Sequence, residues 1–339
     1  MTQRPVAHAQ RLVARANISR AVRTYLWSRD YIEIEAPTLV VSPGLEPHLD
    51  AFEVPTGGRR RYLHTSPEYA LKRLMGDGFQ RLFSLGPCYR DEPSSSTHSP
   101  EFTMLEWYRE GATLADTMDE TEALVSLACE AVHGCTQVGE VDLKPPFRRL
   151  SLRQAFIDYV GLDAFAFTTA AGLRDEASRV GATVHTDSES YDDVFFQLFL
   201  NLIEPRLAEG KPTFLFGYPR SQAALARLDP EDPTTALRFE LYAGGFELAN
   251  AFDELTDAVE QEARFRGDLS QRKAGHRQQP PIDLALLAAV GRMKPTCGVA
   301  LGFDRLVMLI TDATHIDDVR AQPWDDRQEG LPSAGPADS

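Results

Sequence analysis

Hydrophobic and polar positions along this chain fall into strand-like and helix-like runs. Leu82-Phe83-Ser84-Leu85 is a short apolar run suited to a buried strand, and residues 102–108 (FTMLEWY) are rich in strand formers. A polar loop with Pro93 and three consecutive serines separates them, which predicts a long hairpin with Arg90, Asp91, Glu92 and His98 at its mouth. Residues 238–254 (RFELYAGGFELANAFDE) repeat the pattern of charge on apolar strands, with Glu240, Glu247 and Glu254 seven residues apart. Residues 295–310 (PTCGVALGFDRLVMLI) read as a glycine-bearing strand running into Asp304-Arg305 and an apolar helix.

Helical spacing marks residues 11–30, where Leu12, Ala16, Ile18, Val22, Leu26 and Trp27 recur on one face, followed by a strand at 31–35 that Pro37 halts. Further helices are predicted over 113–132, 152–159, 170–180, 191–208, 257–272 and 282–293. Residues 49–54 and 61–64 can pair across Thr56-Gly57-Gly58, and 213–216 form another strand. Ser66-Pro67-Glu68 has the chemistry of a helix start: serine as cap, proline at the first position, glutamate at the positive end. Antiparallel strand pairs interleaved with helices predict an α+β domain over 11–316, with a helical insertion at about 113–210. Residues 1–10 are expected to be flexible, and the proline- and acid-rich tail 317–339 disordered.

Charge and cysteine content narrow the function. The chain has 339 residues, 43% of them hydrophobic, and a formal net charge of −15. A protein that wraps nucleic acid carries a basic face. Here the basic runs do not exceed Arg59-Arg60-Arg61, so extensive tRNA binding is disfavoured. Cys88, Cys129, Cys135 and Cys297 show no zinc spacing and read as reduced thiols of a cytoplasmic protein. No stretch is long and apolar enough for a membrane span, and no signal-peptide pattern opens the chain.

Candidate chemistry lies on the charged strands. An arginine at a hairpin mouth can fork onto a phosphate or carboxylate, and a facing glutamate can accept from an amine. Taken singly, Arg90 reads as a surface charge, Glu68 as a helix-capping acid, Glu254 as a cap and Tyr108 as a core aromatic. Their order along the chain changes that. His64-Thr65-Ser66-Pro67-Glu68, Tyr89-Arg90-Asp91-Glu92, His98-Ser99-Pro100-Glu101-Phe102, Glu247-Leu248-Ala249-Asn250 and the Gly302–Arg305 corner together resemble the class II aminoacyl-tRNA synthetases. Within that class they resemble lysyl-tRNA synthetase, over residues 15–311.

The resemblance implies ATP and Mg2+ as substrate and cofactor. It implies Arg90 on the substrate carboxylate and α-phosphate, Arg305 near the γ-phosphate, and Glu240 and Glu247 on the metal. Asp91, Glu92, His98, Ser99, Phe102, Leu248 and Gly302 would line the nucleotide, with Phe102 stacked on adenine. Ser66, Pro67, Glu68, Asn250 and Ala300 would frame the amino acid, with Glu106, Tyr108 and Glu254 around its distal ammonium. Lysyl-tRNA synthetases carry an anticodon-binding OB-fold ahead of the first motif; only a short segment precedes it here. Ala300 stands where the synthetases usually have glycine and their shortened paralogues alanine. Ala251 replaces a glycine usual in both, and Ser99 an asparagine common in the paralogues.

The pattern is therefore closest to those paralogues, the elongation factor P–(R)-β-lysine ligases. That implies adenylation of lysine or (R)-β-lysine, transfer to a lysine side chain of elongation factor P, and a homodimer through the first helix and strand. A minimal synthetase-like enzyme with another acceptor is one alternative. A non-catalytic amino-acid-sensing paralogue is a second, and intact Arg90, Glu240, Glu247 and Arg305 count against it.

Overall fold

Period-two alternation in one large sheet divides this protein into a packed side and a working side. The computed structural model describes residues 3–185, 190–208 and 210–324. The chain runs α1 (Gln3–Trp27), β1 (Ile32–Glu33), β2 (Leu39–Val40), β3 (Glu53–Thr56), β4 (Arg59–Leu63), α2 (Glu68–Gly76), β5 (Arg81–Tyr89) and β6 (Glu101–Glu110). It continues through α3 (Leu114–His133), β7 (Gln137–Val138), β8 (Val141–Asp142), β9 (Arg148–Ser151), α4 (Leu152–Tyr159), α5 (Ala170–Arg179), α6 (Tyr191–Leu198) and α7 (Glu204–Leu207). Then come β10 (Thr213–Pro219), β11 (Thr235–Ala243), β12 (Phe246–Asp253), α8 (Ala258–Ala274), α9 (Leu284–Val290), β13 (Thr296–Gly302) and α10 (Phe303–Ile310).

The large sheet has the order β1-β5-β6-β13-β12-β11-β10-β9. Its six central strands are antiparallel, and the edge strands β1 and β9 pair in parallel. Register places Phe83, Trp107, Val299, Ala251 and Phe239 in one row across the sheet, all buried in the main core with residues of α1, α3 and α10. A one-residue shift turns the row over. Ser84, Glu106, Ala300, Asn250 and Glu240 therefore form a row on the opposite face, beside Leu82, Tyr108, Gly298, Phe252 and Arg238. Polar residues in mid-strand thus mark the working side.

Several boundaries differ from the sequence expectation. Helix α1 begins at Gln3 rather than after residue 10, with the His8 ring against the Arg320 carbonyl (2.7 Å) and Arg11 beside Asp318. The same contacts order the start of the expected tail. Residues 316–319 form a short 3-10 turn with Val319 fully buried, while 325–339 lie outside the described residues. Helix α3 belongs to the sheet's own core, whereas residues 150–218 build a separate cluster around Phe156, Phe195 and Leu198. The helical insertion accordingly starts after β9, not at residue 113. Helix α2 starts at Glu68 with Pro67 as its cap, and the Ser66 hydroxyl still accepts from the Glu68 N–H (2.9 Å). The predicted helix over 191–208 holds, with a π turn over Phe199–Ile203 between α6 and α7.

Candidate active site

The working face of the sheet floors a cavity of about 1090 Å³. That exceeds the ~300–1,000 Å³ of a usual single-ligand pocket. It follows β6 from Tyr108 through Glu106 and Met104 to Phe102, and β13 from Gly298 through Ala300 to Gly302. Six residues of strand span roughly 20 Å at ~3.3 Å per residue. The two ends differ in chemistry.

Four acids, Glu46, Glu68, Glu106 and Glu254, line the end near Tyr108. Glu106 is 1% exposed, accepts from the Ser66 hydroxyl (2.5 Å) and from the Tyr108 phenol (3.2 Å), and is still pushed up to about 8 by burial and the Glu68 charge. Glu254 is raised as well, by burial foremost, with the adjacent Lys72 pulling it back and Glu68 adding to it. Carboxylates that resist ionisation without a partner are sites for a cation. Glycine at 298 is what lets them approach, because a Cβ there would lie 2.3 Å from the Tyr108 ring and 2.5 Å from Glu254 Oε1.

Arginines dominate the other end. Arg90 follows the β5 edge, its guanidinium 5.0 Å from the centre of the Phe102 ring and its Nε buried without a hydrogen-bond partner. Arg305, at the start of α10, donates to the Glu247 carbonyl (2.9 Å) and lies 2.7 Å from His98 Nε2. Burial and the Arg305 charge lower His98, so its ring is neutral and accepts from that arginine. Ser99 is buried and accepts from Arg320, which also reaches Glu101. Glu92, Leu248 and Gly302 line this end too. Glu247 is pushed up to about 7 by burial and by Glu240, although its side chain keeps 41% exposure and water tempers the shift.

Three expected residues are not on the cavity wall. Asp91 is exposed at a tight turn in which the Glu92 N–H returns to the Arg90 carbonyl (2.9 Å), and Pro67 is taken up as the cap of α2. Glu240 is covered rather than free. Its Oε2 accepts from Tyr218 (2.5 Å) and Tyr242 (2.6 Å), and its Oε1 from Arg238 (2.5 Å). No group of three or more His, Cys, Asp or Glu side chains is placed to hold a metal among the described residues. Of the two acids expected on the metal, Glu247, with its nearest cation Arg305 at 3.9 Å, is the one left open. One open acid fits magnesium, which is bound through one or two carboxylates together with substrate phosphates.

Sequence reading missed Glu46, Lys72 and Arg238. Arg238 reaches the cavity, held by Glu240, by the Gln222 carbonyl (2.8 Å) and by Asn250 Oδ1 (3.2 Å), over the Tyr218 ring at 4.3 Å. Its place two residues before Glu240 on one strand face was the available signal.

Comparison with known proteins decides the family. A model of class II tRNA synthetases (D, K and N) matches residues 2–326. Elongation factor P–(R)-β-lysine ligases from Proteus mirabilis and Pseudoalteromonas translucida are each 38% identical, over 94% of this chain and 96% of their own length. That from Vibrio cholerae is 36% identical over 94% of this chain and 97% of its own. The chain belongs to the elongation factor P–(R)-β-lysine ligases, a branch of the class II tRNA synthetases. Ala251 and Ser99, which depart from the pattern of that family, and Ala300, which departs only from that of the synthetases, now have positions. The Ala251 methyl lies in the core on the far face of the sheet, away from the cavity. Ala300 lines the cavity between Glu106 and Asn250, so its methyl shapes the floor of the ligase pocket. Ser99 keeps a polar oxygen at the wall, already engaged by Arg320.

Proposed function

We propose that this ligase activates lysine or (R)-β-lysine with ATP and passes the acyl group to a lysine side chain of elongation factor P. The observation that carries the reading is the polarity of one cavity, carboxylates at one end and the arginines Arg90 and Arg305 at the other. A diamino acid satisfies the first and a nucleotide triphosphate the second. The names of the relatives supply the acceptor.

In the first step the substrate carboxylate oxygen attacks the α-phosphorus, and the bond to pyrophosphate breaks. Arg90 would lie against both anions, neutralising charge where it develops. Arg305, oriented by neutral His98, takes the triphosphate tail, and Phe102 offers its ring to adenine once Arg90 turns to the phosphates. Asn250 and Ala300 set the amino-acid backbone between these poles. When bound, magnesium supplies charge neutralisation to the leaving pyrophosphate; Glu247 would hold it, with the Glu240 charge behind. In the second step the acceptor amine attacks the acyl carbon, the bond to AMP breaks, and the amine loses a proton as the amide forms. No enzyme nucleophile is required.

We further infer a homodimer through α1 and β1. Val13, Trp27, Ile32, Leu39 and Val41 are 44–62% exposed on or beside these elements, an apolar surface that pairing would cover. Lysine-dependent exchange of labelled pyrophosphate into ATP tests the activation step. Exchange that needs a diamino acid and is absent with norleucine is expected; exchange without preference for an amine would refute the assignment of the acidic end.

A further inference from the structure

Lys72 stands one layer behind the cavity. It lies one helical turn after Glu68 on α2 and is 2% exposed. It lines no part of the cavity, whereas the two carboxylates it touches both do. Its Nζ donates to Glu68 Oε1 and sits 2.5 Å from Glu254 Oε2. Burial pulls this ammonium down, but Glu254 and Glu68 outweigh burial and hold it protonated. Neither Glu254 oxygen has a partner in good hydrogen-bond geometry; Oε2 is in ionic contact with Lys72, whereas Oε1 is turned to Gly298 on the cavity wall. One carboxylate oxygen is thus held from behind and the other is presented to a ligand.

We propose that Lys72 is a positioning residue for recognition of the distal ammonium: its contact with Glu254 Oε2 fixes that carboxylate so that Oε1 meets the substrate. This rests on the lysine-activating reading above. The ionisable groups around Glu254 are Lys72 and Glu68 from α2, Tyr108 from β6, Cys297 from β13, and Asp253 on its own strand, which pairs with Arg227. Among the described residues only Lys72 places a cation against Glu254. Lys72 opposes the burial that raises Glu254, so without it the carboxyl would hold its proton to still higher pH, because a buried carboxylate with no partner favours its neutral form. Binding of an ammonium would then require that proton to leave.

The test is lysine-dependent ATP–pyrophosphate exchange across pH in Lys72→Met and Lys72→Arg. For Lys72→Met the acid limb of kcat/KM for lysine should move up by about one pH unit or more, and KM for lysine near neutrality should rise roughly 10–100-fold. KM for ATP should stay within about twofold. Lys72→Arg, which keeps the charge, should hold the limb at its original position. An unmoved limb in Lys72→Met, or KM for lysine and ATP rising together at every pH, would overturn the proposal. Should Lys72→Met fail to fold, Lys72→Met/Glu68→Gln removes one carboxylate with the ammonium, and its limb is compared with that of Glu68→Gln alone; equal limbs overturn the proposal. Absence of lysine-dependent exchange in the unsubstituted protein would instead refute the functional reading, and this proposal with it.

Discussion

On the proposed reading activation turns on Arg90, whose Nε is buried with no partner and whose guanidinium rests on an aromatic face that a base could take. A guanidinium with an unsatisfied nitrogen at a cavity wall is prepared for an anion that arrives with the substrate. Arg90→Ala should lower lysine-dependent pyrophosphate exchange by roughly 10²–10³-fold, as for loss of one oriented charge donor. A folded variant that exchanges at the original rate would exclude Arg90 from the reaction. At the opposite end the decisive group is Glu106. Its carboxyl, ordinarily near 4.5, is raised to about 8, so in that interval the folded ligase holds a proton that the unfolded chain has lost. Its contribution to stability is full below the lower value and is lost as pH rises through the upper one. Ammonium binding favours the ionised form, which reverses the trend. Lysine affinity should therefore strengthen by up to tenfold per unit between about pH 6 and about pH 8, and the stabilisation seen in thermal melts should grow with it. A melting shift independent of pH would mean that Glu106 is already ionised in the empty site.

The strand β13 carries two glycines with different duties, and substitution separates them. At Gly298 an added methyl would meet the Tyr108 ring and Glu254 within 2.5 Å, so Gly298→Ala should abolish lysine binding and lower the melting temperature. At Gly302 the nearest atom is an Arg305 methylene at 3.6 Å, an ordinary contact. Gly302→Ala should fold normally and raise KM for ATP, because only the nucleotide needs that space. Equal destabilisation of both variants in thermal melts would contradict this division. The elements themselves were legible: the hairpin of β5 and β6, the apolar strands within 238–254 and the β13–α10 corner all stand where the sequence pattern put them. Glu106, Tyr108 and Glu254 were legible only through the family resemblance, since taken singly they read as strand, core and cap residues; the fold brings all three to one end of the cavity. Lys72 and Glu46 were not legible. Helical spacing pairs Lys72 with Glu68 as an ordinary surface couple, and only tertiary packing brings Glu254 against it. The covering of Glu240 was hidden for a similar reason, since nothing local announces that Tyr218 from β10 will cap its carboxylate.

At the scale of the whole molecule the question is which acceptor reaches the adenylate. Fifty acidic against 35 basic residues give a formal charge of −15, and the acids Glu46, Glu68, Glu106, Glu254, Glu260 and Asp268 all line the cavity. A tRNA approaching that surface meets repulsion where nucleic-acid binders offer lysine and arginine. A protein that presents one lysine side chain meets the reverse, since its ammonium is drawn toward the acidic end and must lose a proton to attack. Incubation with ATP, labelled (R)-β-lysine and an equimolar mixture of elongation factor P and bulk tRNA should place the label on elongation factor P, as one added lysyl mass on a single lysine. Raising ionic strength tests the electrostatic part: transfer to elongation factor P should weaken as the attraction is screened over a Debye length of ~10 Å at 0.1 M. Pyrophosphate exchange, whose small ligands are held inside the cavity, should change less. If tRNA takes the label and elongation factor P does not, the surface charge has been misread and the chain is a minimal synthetase.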